Sequence, residues 1–548
     1  MLRPLAVFAG SIALAPALLA QVPVLDAARI DSVFADYGTA TPGCALGIYQ
    51  RGRVVYAKGY GMADLNLGVP IGPATMFDIG STSKQFAAAA MLLLAQDGKV
   101  ALADPVRKYV PELPAYGGDP ITIDHLLRHT SGLRDYNGLL FLAGHAEEDY
   151  TNDADALDLI GRQRNLNFLP GTRWDYSNTG FFLLSVIIKR VTGRTLAEFA
   201  RDRIFVPLGM TRTHFRDNHA ALLPGRAVGY APGPDGFVIE MSNWDQTGDG
   251  AVNTNVLELA RWDANFSSPT VGGAELMARL QERGRLNRGD TLQYARGLFV
   301  DRYRGLRRVH HGGAWAGYRA MLMRFPDQGV AIGVECNVAD ANTQGRAEQV
   351  ADVILGPVLE PVAAAGTAGG AAAAVAAADR GRLPGTFFAP DLQSVMEVIA
   401  ADSGGLALRG FGGTRPLTPA GPGRFTAAGG LVEVRFSDDA AALTVTVLGD
   451  ATGPYRRVIP PRPGAAALAE LAGSYPSPEL NTTWTLAVDS GRVYLEARAL
   501  GRVPLEPVVP DGFRAENGFL TITRKAGRID GFEFSASRMM RIRFDRRR

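Results

Sequence analysis

The polar and apolar positions along the chain divide it into a mixed first part and an all-strand remainder. From Ala45 to Ala57 the residues alternate as two short strands around Gln50-Arg51-Gly52-Arg53, a hairpin signal. Asp78-Ile79-Gly80-Ser81-Thr82-Ser83-Lys84 then opens into an almost wholly apolar run ending at Gly98, which predicts a buried helix entered at Ser81 or Thr82. A helix-like segment follows over Thr122 to Leu133, with mixed helical segments up to about Leu166 and turn residues at Leu169-Pro170-Gly171-Thr172. Phe181 to Val191 is another apolar helical run, and Arg319 to Phe325 and Gly329 to Glu335 read as strands joined at Pro326-Asp327-Gln328-Gly329. Past Pro361 the tract Ala363 to Ala378, mostly alanine and glycine, reads as a linker. The remainder alternates as short strands, such as Trp484/Leu486/Val488 and Met540/Ile542/Phe544.

The remainder also repeats. Leu383, Gly385, Phe387, Pro390 and Leu392 recur as Leu471, Gly473, Tyr475, Pro478 and Leu480 at an offset of 88 residues, which Phe425 and Phe513 keep. Two similar all-β units predict a pair of small closed antiparallel barrels. The expected division is residues 1–20 as a signal peptide, 22–360 as the first domain, 361–380 as linker, and barrels over 381–460 and 468–548.

Composition changes this picture little. The 548 residues are 47% hydrophobic with a net charge of +2, ordinary for a soluble globular chain of several domains and no argument for nucleic acid. The N-terminus adds more: Met1-Leu2-Arg3 precedes an apolar run from Leu5 to Ala20 with small-residue cleavage sites, the pattern of a secretory signal peptide. An exported protein, periplasmic or extracellular and without stable membrane insertion, is expected. Export permits a disulfide between Cys44 and Cys336, but their separation leaves the pairing open. No cysteine–histidine cluster has zinc spacing. His125 and His129, four apart on a predicted helix, lack a third ligand, so they read as structural and no metal or cofactor is expected.

Three short motifs carry chemistry. Ser81 and Lys84 fall three apart on one helix face. The hydroxyl would sit at a helix N-terminus, and the amine, one turn inside a buried helix, loses hydration and becomes easier to deprotonate. Tyr176 and Asn178 lie two apart before the helix at Phe181 and would share one side of the chain. In His310-His311-Gly312-Gly313-Ala314, glycines inside a strand suggest close approach by a ligand or another backbone. Each motif also has a plain structural reading, as a capping box, a helix cap and a glycine-rich hairpin.

Taken in order, Ser-x-x-Lys, Tyr-x-Asn and His-x-Gly resemble the penicillin-recognising serine hydrolase superfamily over about Ile30 to Leu359, and Leu126-Leu127-Arg128-His129-Thr130-Ser131-Gly132-Leu133 looks like a further family stretch. That superfamily includes class C β-lactamases, D-alanyl carboxypeptidases, D-aminopeptidases and esterases. The resemblance implies an α+β β-lactamase-like domain, an antiparallel sheet with helices. It assigns Ser81 as nucleophile, Lys84 and Tyr176 as alternative bases, and Asn178 as organiser. His311 and Gly313 form the strand wall, and the N–H groups of Ser81 and Ala314 the oxyanion hole. Two lipocalin-like barrels after this domain are similar to D-aminopeptidase architecture, in which a loop of the last barrel reaches the cleft. The chain has His311 where typical β-lactamases have lysine; a neutral histidine favours substrates without an anionic end. A D-aminopeptidase-like peptidase on small peptides or amides is therefore expected, with an esterase or class C-like β-lactamase second. A non-catalytic ligand-binding protein is the alternative from another class, and homo-oligomeric assembly stays open.

Overall fold

The computed structural model describes residues 25–361 and 377–547, apart from 402–403, 411–412, 428–431, 448–449 and 517. The expected signal peptide and most of the expected linker lie outside the described residues.

A six-stranded antiparallel sheet forms the frame of the first domain. Its order across the sheet is Phe299–Tyr303, Leu306–Trp315, Tyr318–Phe325, Val330–Cys336, Cys44–Gln50 and Arg53–Tyr60. The first strand of the chain thus pairs with the last of the domain. Cys44 stands directly opposite Cys336 in that register, and the two form a disulfide with Cα atoms 4.0 Å apart. Layers cover both faces of the sheet, which is why Val330–Cys336 is buried throughout and apolar but for Glu335. The helix Thr343–Leu355 with Ile30 and Phe34 covers one face. A helical layer built around Lys84–Gln96 and Asn178–Thr192 covers the other.

The buried helix starts one turn later than its polar entry suggested. Gly80–Ser83 is a 3-10 turn, and the α-helix runs Lys84–Gln96 with Lys84 through Leu94 all buried. The helix Ile123–Leu127 ends before His129, which has φ 57°, so His125 and His129 do not share a helix face. His125 instead completes a capping box, its Nδ1 accepting from the Thr122 N–H at 3.2 Å.

Two eight-stranded antiparallel up-and-down barrels follow. The first closes from Gly385–Ala389 round to Asp450–Val458. In the second, from Gly473–Ser477 to Met539–Asp545, the Arg547 N–H donates to Ser474 O at 2.9 Å, bringing the end of the chain back to the first strand. The repeat positions Leu383/Leu471, Phe387/Tyr475 and Phe425/Phe513 are all buried, so the offset records equivalent barrel-core positions. Among the described residues no helix is long and apolar enough to cross a membrane.

The second barrel docks on the first domain through an ion pair with no solvent exposure on either side, Arg134 Nη1 to Glu479 Oε1 at 2.6 Å. Glu479 also accepts the N–H groups of Arg164 and Arg543 at 2.9 and 2.7 Å. Arg134 also donates to Gln163 Oε1 and Arg541 O. Both charges have several partners, which offsets the cost of burying the pair, although Arg134 Nε is buried without one.

Candidate active site

The first element of the site is the 3-10 turn. Residues three apart eclipse one another in that geometry, and Lys84 Nζ lies 3.0 Å from Ser81 Oγ. The amine also donates to Asn178 Oδ1 at 2.8 Å and to the backbone carbonyl of Asp249 at 2.6 Å. The rings of Tyr176 and Phe181 lie 4.8 and 5.6 Å from it. Lys84 has no exposed surface. Burial drives its pKa from 10.5 down to about 7; the Asp249 and Asp135 carboxylates push it up and Arg538 pushes it down. A neutral amine has two N–H bonds, enough for the two carbonyl oxygens, which turns its lone pair toward Ser81.

Asn178 begins the helix Asn178–Thr192, and its N–H donates to Asp135 Oδ2 at 2.7 Å. Asp249 is buried; its Oδ1 accepts from the Tyr136 hydroxyl at 3.1 Å, and burial raises its pKa to about 6. The Tyr176 hydroxyl is buried with no regular hydrogen bond, although Ser81 lies near enough to draw its pKa down. Burial outweighs that pull and lifts the phenol well above its usual range.

The strand Leu306–Trp315 forms the opposite wall. Its pairing with Phe299–Tyr303 ends at His310, so the edge from His311 to Trp315 carries no strand neighbour on that side. A Cβ at Gly313 would fall 1.9 Å from Ile79 O, and one at Gly80, where φ is 47°, 2.7 Å from Ala314 N. The glycines are needed because the turn carrying Ser81 presses on the strand, a backbone approach and not room for a ligand. Thr82 Oγ1 donating to His311 O at 3.2 Å fastens the two together.

His311 belongs to a buried one-way chain of hydrogen bonds. The Ser177 N–H donates to His129 Nδ1 at 3.2 Å, so His129 carries its proton on Nε2, 3.1 Å from the Tyr294 hydroxyl. That hydroxyl lies 3.2 Å from His311 Nε2, and His311 Nδ1 donates to Gly312 O at 2.6 Å. Every position is satisfied with both rings neutral. Burial and the nearby Lys84 push the His311 pKa down to about 3. His311 is therefore an uncharged wall residue. Nothing in the sequence pattern around Tyr294 marked it as the bridge.

A cavity of about 700 Å³ opens beside Ser81. Tyr176, Asn178, His311, Gly313 and Ala314 line it, so six of the seven predicted site residues face one space and the seventh, Lys84, lies directly beneath. Ser537, Arg538 and Met539, at the tip of the hairpin Arg528–Ala536/Met539–Asp545, also line it. The anticipated loop of the last barrel is this one. Asp135 and Asp249 escaped the sequence reading, the latter although Gly248-Asp249-Gly250 is itself a turn signal. Among the described residues no group of histidine, cysteine and carboxylate side chains has the arrangement of a metal site.

Residues 30–355 match the family described as Beta-lactamase. The chain is 32% identical over 298 residues to penicillin-binding protein 4* of Bacillus subtilis, covering 51% of this chain and 64% of that protein. It is 31% identical over 323 residues to a D-aminopeptidase of Gluconobacter oxydans, covering 58% and 60%. The match thus spans less than two thirds of either relative. With a D-aminopeptidase of Cereibacter sphaeroides strain KD131 the match is 28% over 485 residues and 86% and 87% of the two chains. Among solved structures, the octameric penicillin-binding protein homologue from Pyrococcus abyssi superposes with a TM-score of 0.56 at 24% identity, over 78% of this chain and 99% of that one, a likeness of fold.

Proposed function

We propose that this chain, which belongs to the beta-lactamase family, is an exported serine hydrolase that cleaves small peptides or amides through an acyl-enzyme on Ser81, in the manner of a D-aminopeptidase. One observation carries the reading: a buried amine with its pKa lowered to about 7 lies 3.0 Å from the serine oxygen, its two hydrogens engaged by Asn178 and the Asp249 carbonyl. Lys84 takes the Ser81 proton as Oγ bonds to the substrate carbonyl carbon. The Ser81 and Ala314 N–H groups receive the oxyanion. The C–N bond then breaks, the leaving nitrogen takes a proton passed from Lys84 by way of the Tyr176 hydroxyl, and water hydrolyses the ester. Lys84 is the base because burial moves it toward neutrality, whereas the same burial keeps the Tyr176 phenol protonated. The buried Cys44–Cys336 disulfide supports the oxidising compartment that the N-terminal pattern suggests.

The names of the relatives, two D-aminopeptidases among them, support the peptidase reading over an esterase or a class C-like β-lactamase. Intact-mass measurement after a fluorophosphonate tests the chemistry: an adduct absent from Ser81→Ala is expected, and no adduct would leave only a ligand-binding protein. Hydrolysis of a D-alanine anilide, an acetate ester and a chromogenic cephalosporin tests the class. A preference for the cephalosporin would overturn the peptidase assignment.

A further inference from the structure

The charged groups around the large cavity differ in one respect. Asp135 is buried and accepts from the N–H groups of Asn178 and Gly138 at 2.7 and 3.3 Å. Asp301 is bound by both Arg308 Nε and Nη2 and faces His310 at 3.2 Å. His310 and His311 are held neutral by burial. Arg538 is the exception. It is exposed at the cavity, and among the described residues no carboxylate lies within ion-pair distance of it.

The arginine is nevertheless held in place. Its backbone takes φ 63° at the hairpin tip, and its carbonyl accepts from the Asp135 N–H at 3.1 Å and from Asn167 Nδ2 at 2.8 Å. Met540 N–H returns a bond to Asn167 Oδ1 at 2.9 Å, and Met539 packs on Gly138, where a Cβ would meet its sulfur at 2.3 Å. The guanidinium carbon lies 4.8 Å from the centre of the Tyr176 ring. A fork of N–H donors on a clamped backbone, stacked on an aromatic face and lacking a protein anion, matches a planar carboxylate from outside. Its position indicates which half of the substrate carries that group. The leaving nitrogen must reach the proton carried by Lys84 and Tyr176, so it departs on the Tyr176 side.

We infer that Arg538, delivered by the second barrel, binds a carboxylate on the leaving half of the substrate, so that short peptides with a free C-terminal carboxylate are preferred over their amides. The inference rests on the acyl-transfer reading of Ser81 and reverses the expectation drawn from His311 alone: the cation absent from the strand wall arrives from another domain.

D-alanyl-glycine and D-alanyl-glycinamide differ only in that carboxylate. The wild-type chain is expected to show kcat/KM about 10-fold or more higher for the acid. Because Arg538→Gln also removes a charge that lowers the Lys84 pKa, the comparison is made as the acid-to-amide ratio of kcat/KM on the plateau above the acid limb. That ratio should fall by about 10- to 100-fold, the range of one charge-assisted contact. Arg538→Lys should retain part of the preference, and thermal melting of both variants checks their folding. No wild-type preference overturns the inference. So does an acid-to-amide ratio that Arg538→Gln leaves unchanged on that plateau, which would confine Arg538 to its effect on the Lys84 charge. If the wild type cleaves neither substrate, the peptidase reading fails separately. Calorimetry on Ser81→Ala then decides the subsite: acid binding that Arg538→Gln removes supports it, and absent or undiscriminating binding of the acid refutes it.

Discussion

Acylation should follow an acid limb near pH 7, and replacing Asp249 by Asn should move that limb to lower pH. An ordinary lysine is unprotonated in fewer than about one molecule in a thousand at neutral pH, whereas a pKa of about 7 makes roughly half the molecules competent. Three charges set the balance around the desolvated amine: Asp249 and Asp135 support the ammonium and Arg538 opposes it. Asn at 249 keeps an acceptor for the Tyr136 hydroxyl and leaves the backbone carbonyl that binds Lys84. The substitution thus removes charge and little else. Loss of that support should drop the limb by on the order of one pH unit, about 1.4 kcal/mol. In the wild type the limb belongs to the Lys84–Asp249 pair, since Asp249 itself is raised to about 6. The assay is kcat/KM on one substrate from about pH 5 to 9. Lys84→Met supplies the stability arm. The unfolded lysine binds a proton up to its usual value near 10.4 and the folded one only to about 7, so Lys84 costs stability increasingly as pH falls across that window. The methionine variant should be inactive yet more stable at pH 7, by on the order of a few kcal/mol. A limb that moves upward in Asp249→Asn, or a methionine variant less stable than wild type, would refute the reasoning.

Tyr294→Phe removes the hydroxyl bridging His129 and His311, leaving two buried ring nitrogens without partners; chemical denaturation should show a loss of about 2 kcal/mol or more. Unchanged stability would mean that the relay is not formed in solution. Glu335 is buried with neither oxygen partnered, and its pKa lies well above the usual carboxyl range. The folded chain therefore keeps a proton that the unfolded chain releases above about pH 4.3, and stability falls as pH rises past that value. Glu335→Gln should flatten the slope between about pH 5 and 8 and gain about 1–3 kcal/mol at the upper end; identical slopes would exclude this origin.

What could be seen in advance was what depends on local spacing. Ser81 and Lys84 meet because they are three residues apart on one turn. The strands Cys44–Gln50 and Arg53–Tyr60 show through alternation about a tight turn, and Val330–Cys336 through the turn signal that precedes it. The barrels announce themselves through an offset that returns the same core positions. Even the error at the start of the helix Lys84–Gln96 was local, since one polar turn fits a 3-10 start as well as an α start.

The partners that tune the site are of another kind, and each was hidden for a physical reason. Asp249 holds Lys84 through its main-chain oxygen, a group that every residue possesses, so no side-chain pattern could point to it. Tyr294 acts at the midpoint between two rings that come from Leu126–Leu133 and from the sheet, a meeting that exists only after the helical layer packs. Arg538 is hidden by the repeat itself. Ala442–Val447 with Asp450–Val458 and Arg528–Ala536 with Met539–Asp545 occupy the same place in their barrels, so internal similarity nominates both hairpins equally. The choice is made outside the repeat, by the buried pair Arg134–Glu479 and by the Asp135 N–H that grips the Arg538 carbonyl. Asp135 thus serves both sides of the junction, its main chain fixing the barrel hairpin while its carboxylate orients Asn178 and bears on the charge of Lys84. With Lys84 as the proposed base and Arg538 as the proposed carboxylate partner, selection and base strength meet in Asp135, so a change that loosens the barrel contact should alter the pH profile as well as the specificity.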